Sequence, residues 1–293
     1  MPHPSHVHQI GAVRVTRVEE IVTDEFSPRD LIPRWDPAVA AEHADWMVPV
    51  CLDAAGEHVV VSVHSWLVEA AGRTILVDTG IGNGKPRRAP LFDDLDQPYL
   101  DRLAACGVRP DDVDLVLMTH LHTDHVGWNT RKRDGAWVPT FPNARHVMPK
   151  REQAFRDGLL RTRGPDQPQT AFYADSVVPV LDRTDLVEDG DRVLDLFRFV
   201  ATPGHSVGHM SIALESEGQT AFFAGDVMHH PVQVVRPDWS SIFSEDPALG
   251  EASRRRALEH AADTDATVFS SHFPGSSAGR ISRHGDGFRW QFL

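Results

Sequence analysis

The feature that most constrains this chain is a run of potential metal ligands directly after an apolar segment. Residues 113–118 (VDLVLM) have Asp114 as their one charged member and predict a buried strand. Four residues in the pattern H-x-H-x-D-H follow: His120, His122, Asp124 and His125. Buried histidine and aspartate side chains are uncommon unless they are paired or bind a metal. The spacing therefore predicts a divalent metal site where this strand ends.

Three later residues repeat the arrangement of an apolar strand followed by a ligand. His205, Asp226 and His272 each stand just past such a run. Strand ends from different segments can meet at one edge of a sheet, where α/β proteins usually place their sites. Seven imidazole and carboxylate ligands are too many for one ion, so they predict two divalent metal ions. Zinc is the expected metal, with iron, manganese and cobalt as alternatives.

Charge and composition exclude several classes of function. The 293 residues include 29 basic and 42 acidic side chains, for a net charge of −13, which disfavours binding to nucleic acid. Two cysteines provide no disulfide framework. The first eight residues do not resemble a secretory signal, and no apolar stretch has the length of a membrane span. We expect a cytoplasmic protein that acts on a small-molecule substrate and binds neither nucleic acid nor a membrane. The oligomeric state is open, and a homodimer is one alternative.

The order of predicted elements indicates an α/β protein. Strands, a helix and a ligand-bearing strand occur twice, which predicts two similar halves, each a mixed sheet with helices on one face. Such halves predict a four-layer αββα sandwich. The sequence has no linker, so we expect one domain over residues 1–293. Residues 24–57 predict an irregular N-terminal extension or lid with a short helix near 37–44, unless their aromatic residues only cover the core or a subunit contact.

Two segments are predicted to form loops, one rich in glycine and one that contains tryptophan. Residues 78–84 (DTGIGNG) lack the Gly-Lys-Ser/Thr ending of a phosphate loop, and we expect a tight turn that places Asp78 near the strand ends. Residues 127–142 predict an exposed loop.

Five aromatic residues are candidates for lining an apolar pocket: Phe26, Trp35, Trp46, Trp128 and Trp137.

Five motifs, in this order along the chain, resemble those of the metallo-β-lactamase superfamily. They are L-V-D-T-G at 76–80, H-x-H-x-D-H at 120–125, T-P-G-H-S-x-G-H at 202–209, G-D at 225–226 and S-H at 271–272. The resemblance implies the αββα sandwich of that family. It also implies a ligand set in which His120, His122 and His205 hold one metal, Asp124, His125 and His272 hold the other, and Asp226 bridges them. Asp78 and His209 are then expected to orient neighbouring groups by hydrogen bonds.

The residue three positions after the bridging aspartate narrows the branch of the family that the chain resembles. True β-lactamases lack the bridging Asp226, and quorum-quenching lactonases usually carry a tyrosine where this chain has His229. The resemblance therefore points to the branch that contains methyl parathion hydrolase and related arylesterases and lactonases.

This branch implies hydrolysis of small-molecule esters or lactones by a metal-bridging hydroxide. Asp124 would hold that hydroxide and move its proton, and His229 would stabilise the oxyanion, protonate the leaving group or only form a wall. A phosphotriesterase is the alternative, and a di-iron redox or sensor protein is a second alternative.

Overall fold

The structure, a computed structural model, describes residues 6–293. The strands are β1 Val7–Ile10, β2 Val13–Phe26, β3 Val59–Ala70, β4 Arg73–Val77, β5 Leu115–Leu117, β6 Thr130–Arg133, β7 Ala136–Pro139, β8 Arg145–Pro149, β9 Thr184–Val187, β10 Arg192–Val193, β11 Phe197–Ala201, β12 Met210–Ser216, β13 Gln219–Gly225, β14 Thr267–Ser270, β15 Ala278–His284 and β16 Gly287–Phe292. The α-helices are α1 Pro28–Leu31, α2 Pro37–Glu42, α3 Ala44–Met47, α4 Tyr99–Ala105, α5 Thr123–Val126, α6 Lys150–Arg163, α7 Pro168–Ser176, α8 Val232–Val235 and α9 Pro247–Thr264.

The strands form two large mixed sheets. The first sheet has seven strands in the order β1-β2-β3-β4-β5-β8-β9, in which β4, β5, β8 and β9 are parallel to one another and β3 pairs antiparallel with β4. The second also has seven strands, β10 to β16 in sequence order, in which β13 and β14 pair in parallel. Two mixed sheets with intervening helices confirm the predicted α/β class.

The contacts within the chain divide it into two compact units. Unit 1 comprises residues 6–20 and 63–194, and unit 2 comprises residues 21–62 and 195–293. Two of the three divisions fall inside β2 and β3, and the third lies between β10 and β11, so none is a long linker. The expectation of one domain with an N-terminal extension over 24–57 stays a prediction.

Unit 1 has an apolar core beneath the strand that bears the H-x-H-x-D-H motif. Val116, Met118 and Leu121 are buried in it together with residues from α4 and α7. Parallel pairing holds β5 between β4 and β8, so the carboxyl ends of these strands lie side by side. This arrangement places the residues that follow β4 and β5 near each other.

Unit 2 contains helices that begin at a capping residue followed by proline. Ser27, Asp36 and Asp246 accept hydrogen bonds from backbone N–H groups of α1, α2 and α9, and proline occupies the first helical turn in each case. The buried face of α9 repeats at helical spacing and includes Leu258 and Ala261. This face packs in an apolar cluster with residues of β13 and β14.

One sequence expectation about local structure is wrong. Residues 127–142 contain the β6–β7 hairpin rather than only an exposed loop, and Thr130 pairs with Pro139 at its base. The tight turn at Asp134 and Gly135, both with positive φ, joins two strands too short to show a clear alternating pattern. Among the described residues, no helix combines the length and apolar character that crossing a membrane requires.

Candidate metal centre

The residues of the H-x-H-x-D-H motif lie together in unit 1. His120 Nε2 is 3.1 Å from His122 Nδ1, and the His120 and His125 ring centroids are 4.0 Å apart. Asp124 Oδ1 lies 3.8 Å from His125 Nε2. His122 stands directly before α5, and Asp124 and His125 belong to that helix. The chain therefore turns from strand to helix within the motif, which brings the four side chains together.

Asp78 orients two parts of this motif from the end of β4. Its Oδ1 accepts a hydrogen bond from Thr119 N at 2.8 Å, and its Oδ2 accepts from Thr119 Oγ1 at 2.7 Å. Oδ2 also lies 2.9 Å from His125 Nδ1. Because a carboxylate only accepts, Nδ1 carries the hydrogen and His125 Nε2 keeps its lone pair. The hydrogen bond confirms that Asp78 orients a histidine of the motif.

His120 is oriented in the same way, through Thr119. Thr119 Oγ1 lies 3.0 Å from His120 Nδ1, and its one hydroxyl hydrogen is already donated to Asp78. The oxygen must then accept from His120 Nδ1–H. This leaves the lone pair on His120 Nε2, which is the form of imidazole that binds a metal.

A buried carboxylate that the sequence analysis did not single out fixes the turn behind Asp78. Glu20, at 0% exposure, accepts hydrogen bonds from Ile81 N at 2.6 Å, Gly82 N at 2.9 Å and Trp128 Nε1 at 2.7 Å. Burial raises the pKa of Glu20 to about 7, although the three N–H donors favour its charged form. Gly80 has a positive φ, and a Cβ there would lie 2.1 Å from Glu20 Oε2. A glycine is thus needed at position 80, because the backbone there approaches the Glu20 carboxylate closely.

A second cluster in unit 2 converges on one oxygen of Asp226. His205 Nε2 and His229 Nε2 each lie 3.3 Å from Asp226 Oδ2, and His272 Nε2 lies 3.0 Å from it. All four residues are 6% exposed or less. Three imidazoles buried around one carboxylate are costly unless they share protons or a cation. This donor set fits a first-row divalent metal.

The backbone and side-chain partners of the unit 2 cluster are also specific. His272 Nδ1 lies 2.9 Å from the carbonyl oxygen of Ser62, which can only accept, so Nδ1 carries a hydrogen and Nε2 is the ring nitrogen directed at Asp226. His209 is different, because its Nε2 accepts a hydrogen bond from Asp226 N at 2.8 Å and its Nδ1 contacts Thr202 Oγ1 at 2.8 Å. His209 thus holds the Asp226 backbone, in agreement with the expectation that it orients a neighbour.

The turn that carries His205 depends on a close approach to α9. Gly204 has a φ of +129°, and a Cβ there would lie 2.1 Å from Gly250 N. Asp246 N donates to the Gly204 carbonyl at 2.8 Å, and Glu245 N donates to the His205 carbonyl at 3.0 Å. A glycine is therefore required in this turn, and the start of α9 fixes the position of His205.

His229 is held by polar contacts at its ring and at its backbone, and by contacts with two neighbouring rings. Ser241 Oγ lies 3.1 Å from its Nδ1, and its backbone N–H donates to Gln233 Oε1 at 2.7 Å. The ring is parallel to that of His272, with centroids 5.5 Å apart, and lies 5.8 Å from the ring of Phe243. Burial is the largest effect on the pKa of His229 and lowers it, which disfavours the charged ring.

Each unit thus brings together its own predicted site residues. His120, His122, Asp124 and His125 cluster in unit 1, and His205, Asp226, His229 and His272 cluster in unit 2. Sequence reasoning missed Glu20, Ser62 and Ser241. Glu20 gave a weak signal, as an acidic residue within a valine-rich strand. The two serines gave none, because their roles depend on the fold.

The aromatic candidates have different environments. Trp128 stacks on Tyr99 with centroids 5.1 Å apart and belongs to the unit 1 core. Trp35 packs on Trp239 within an apolar cluster of unit 2. Phe26 contacts Phe243, the residue that contacts His229. Trp128 and Trp35 therefore act in packing, and Phe26 is the candidate connected to a site residue.

Comparison with known proteins identifies the family. The model of the metallo-beta-lactamase superfamily matches residues 58–272, which include all five motifs from L-V-D-T-G onward. The chain belongs to the metallo-β-lactamase superfamily. This membership confirms the resemblance drawn from the motifs and the predicted fold class.

Relatives and solved structures within the superfamily include hydrolases of small molecules. An N-acyl homoserine lactonase, AiiB of Agrobacterium fabrum, is 26% identical over 177 residues, which cover 55% of this chain and 61% of the lactonase. The chain thus spans about three fifths of the length of that relative. AidC, a dizinc quorum-quenching lactonase, has a TM-score of 0.80 at 21% identity, covering 99% of this chain and 97% of AidC. The hydrolase AbOPH has a TM-score of 0.79 at 25% identity with the same coverage.

Proposed function

We propose that this chain is a dinuclear metal-dependent hydrolase of small-molecule esters or lactones. The observation that carries the proposal is the convergence of His205, His229 and His272 on one oxygen of Asp226, at 3.0–3.3 Å and buried from solvent. A carboxylate surrounded by imidazole nitrogens is a suitable ligand set for zinc. Membership in a superfamily whose similar structures include a dizinc lactonase supports the same conclusion.

The ligand assignment follows the family pattern onto this sequence. We propose that His120, His122 and His205 hold one metal and that Asp124, His125 and His272 hold the other, with Asp226 shared. The orientation of His120, His125 and His272 supports this assignment, because each has its Nδ1 directed at an acceptor and its Nε2 left as a donor for a metal. Zinc is the proposed metal, with iron, manganese or cobalt as alternatives.

When bound, two such ions lower the pKa of a bound water towards 7 and polarise the bond to be cleaved. The chain's own residues then have separate tasks. Asp124, which is partly exposed whereas His125 is buried, accepts and passes on the proton of the attacking water. Asp78 and the Ser62 carbonyl keep the imidazoles in fixed tautomers. His229 faces the substrate and lies against Phe243, which offers an apolar surface to an acyl or aryl group.

Lactones and carboxylic esters are the proposed substrates, and N-acyl homoserine lactones are the first to test because relatives act on them. Phosphotriesters are the second candidate. The observation in their favour is His229, at the position where quorum-quenching lactonases usually carry a tyrosine. The same two-metal chemistry can attack phosphorus as well as a carbonyl carbon.

A substrate panel with metal analysis tests the proposal. The zinc-loaded protein is assayed with an N-acyl homoserine lactone, a simple γ-lactone, an aryl acetate and an aryl phosphotriester, before and after a chelator. We expect turnover of lactones and esters that the chelator removes and zinc restores. Turnover of the phosphotriester alone would show that the lactonase assignment is wrong. Stoichiometric iron with a redox-active spectrum would instead support a di-iron redox or sensor protein.

The remaining expectations concern partners and location. A small-molecule substrate, a cytoplasmic location and the absence of a nucleic-acid partner stay predictions, as does the possibility of a homodimer. The segment 24–57 is proposed as a covering element of the site. Its support is the contact of Phe26 with Phe243 and of the Leu31 carbonyl with Ile242 N at 3.0 Å, both within unit 2.

A further inference from the structure

Arg254 is an arginine of α9 that is buried in unit 2. It is 1% exposed, and within residues 6–293 its hydrogen bonds go to two backbone carbonyls and not to a carboxylate. Burial lowers the pKa of Arg254 to about 10, against opposing effects of the charges on Glu251 and Asp238, so the group stays charged at neutral pH. Two neutral acceptors only partly offset the cost of burying this charge, so the groups that the guanidinium holds are informative.

The two carbonyls lie at the ends of residues 227–237, which include His229. Arg254 Nε donates to the Val227 carbonyl at 2.8 Å, and Val227 directly follows the proposed bridging carboxylate. Arg254 Nη1 donates to the Pro237 carbonyl at 2.6 Å, on the far side of α8. Both ends of the segment that carries His229 are therefore fastened to one side chain of α9.

Gln233 holds the same segment together from within. Its Oε1 accepts hydrogen bonds from His229 N at 2.7 Å and from His230 N at 3.2 Å, and its Nε2 donates to the Trp239 carbonyl at 2.8 Å. Gln233 is fully buried, so water does not compete freely for these groups. Because the segment is closed on itself, its place in unit 2 depends on where its two ends are held.

The same helix also holds the turn that carries His205. Ser253, the residue before Arg254, donates its hydroxyl hydrogen to the Pro203 carbonyl at 2.6 Å. The rings of His205 and His229 have centroids 4.8 Å apart. Adjacent residues of α9 therefore hold the two segments that carry these rings, and the helix sets the position of one ring relative to the other.

We propose that Arg254 is a positioning residue that fastens residues 227–237 to α9 and thereby holds the His229 ring in its place beside Asp226. A guanidinium suits this task because its fixed fork of N–H donors reaches two carbonyls at once, whereas a lysine ammonium is a single point of contact. A displacement of about 1 Å can lower a rate about a hundredfold, so the position of the ring matters to the reaction. The effect on catalysis rests on the proposed function, whereas the effect on the position of His229 does not.

Crystal structures of the full chain test the positioning role without any substrate. The variant is Arg254→Met, which keeps an apolar side chain but has no donor, and the matched control is Arg255→Met. Arg255 is the next residue, is exposed and pairs with Glu251 at 2.8 Å. We expect the His229 ring of Arg254→Met to lie about 1 Å or more farther from Asp226 than in the wild type, and Arg255→Met to match the wild type.

A His229 ring that keeps its place in Arg254→Met overturns the positioning role. Arg254→Lys gives the same test if Arg254→Met does not fold, because it keeps the charge and can reach only one of the two carbonyls. A displaced His229 in Arg254→Lys supports the role, and an undisplaced ring with both carbonyls still in place overturns it.

Kinetics in two backgrounds separate positioning from a general loss of stability. Arg254→Lys is introduced into the wild type and into His229→Phe, and ester hydrolysis and bound zinc are measured. We expect kcat to fall about tenfold in the wild-type background with KM and bound zinc unchanged, and no further fall beside His229→Phe, because the arginine acts through that ring. An equal loss in both backgrounds, or an unchanged kcat in the first, overturns the role. The crystal structures decide alone if His229→Phe has no turnover.

The crystal structures also fail separately from the proposed function. A wild-type protein that opens no lactone or ester contradicts the proposed function, while a displaced His229 in Arg254→Met still supports the role of Arg254. A protein that hydrolyses esters, but keeps His229 in place without Arg254, keeps the proposed function and overturns the role of Arg254.

Discussion

Asp226 is the residue on which the unit 2 cluster depends. Its side chain faces three imidazole nitrogens, and its backbone N–H is held by His209. The contact with His209 fixes the carboxylate at the end of β13, where Gly225 has a positive φ.

Replacement of this carboxylate should remove metal and activity together. We expect Asp226→Ala to bind zinc at least about a hundredfold more weakly than the wild type and to have no measurable hydrolase activity. The reason is that loss of a partner outside the ligand shell already costs 10–100-fold in affinity. Zinc content after dialysis against a competing chelator measures the effect. His284→Ala, which changes an exposed histidine of β15, should behave as the wild type. Wild-type turnover in Asp226→Ala would remove this residue from the site.

The turn after β4 is the element that links packing to the unit 1 cluster. Glu20 binds two consecutive N–H groups of residues 81–82, and the same turn places Asp78 against Thr119 and His125. A strained backbone at Asp78, with a φ of 56°, persists because both ends of the turn are held. We therefore expect a change at Glu20 to reach His125 without any contact between them.

A neutral amide in place of Glu20 tests this link. In Glu20→Gln, an NH₂ group replaces one carboxylate oxygen and faces an N–H group that donated a hydrogen bond to that oxygen. This leaves a buried donor without an acceptor. We expect a free energy of unfolding about 1–3 kcal/mol lower and about tenfold weaker zinc binding at the weaker of the two sites. Thermal denaturation and zinc titration measure the two effects. The matched control, Glu19→Gln, changes a residue whose side chain pairs with Arg17. Unchanged zinc affinity in a destabilised Glu20→Gln would confine Glu20 to stability.

For the whole molecule, the sequence predicted what depends on local pattern. The apolar run before His120 predicted the strand that precedes the motif, and the order of strands and helices predicted two mixed sheets. The β6–β7 hairpin was missed because its strands are only four residues long. Glu20, Ser62 and Ser241 could not be predicted, since each acts on a residue distant in the sequence. Contacts of that kind depend on the packed fold and have no periodic signal.

Stability should fall in acid because a core histidine must remain neutral. His146 in β8 has 0% exposure, and burial and the charge of Arg183 lower its pKa to about 3. The folded pKa is below the unfolded value of 6.5, so the unfolded chain binds more protons between pH 6.5 and 3. Stability is therefore complete above pH 6.5 and is lost as the pH falls.

We expect the lowered pKa of this one histidine to reduce the free energy of unfolding by about 2 kcal/mol between pH 7 and pH 5. Urea denaturation of the wild type and of His146→Leu at both pH values measures the cost as the difference between their pH dependences. The variant should lose less stability by that amount, whereas His284→Leu should follow the wild type. Parallel curves for the wild type and His146→Leu would show that His146 is protonated in the folded state.

The proposed function requires that residues of this one chain hold two metal ions and that hydrolysis depends on both. Zinc titration of the chelator-treated protein, with the rate of N-acyl homoserine lactone and aryl ester hydrolysis recorded at each addition, tests it most directly. We expect no turnover without zinc and a rate that rises to a plateau at two equivalents per chain. Full activity in the metal-free protein, or a plateau at one equivalent, would contradict it.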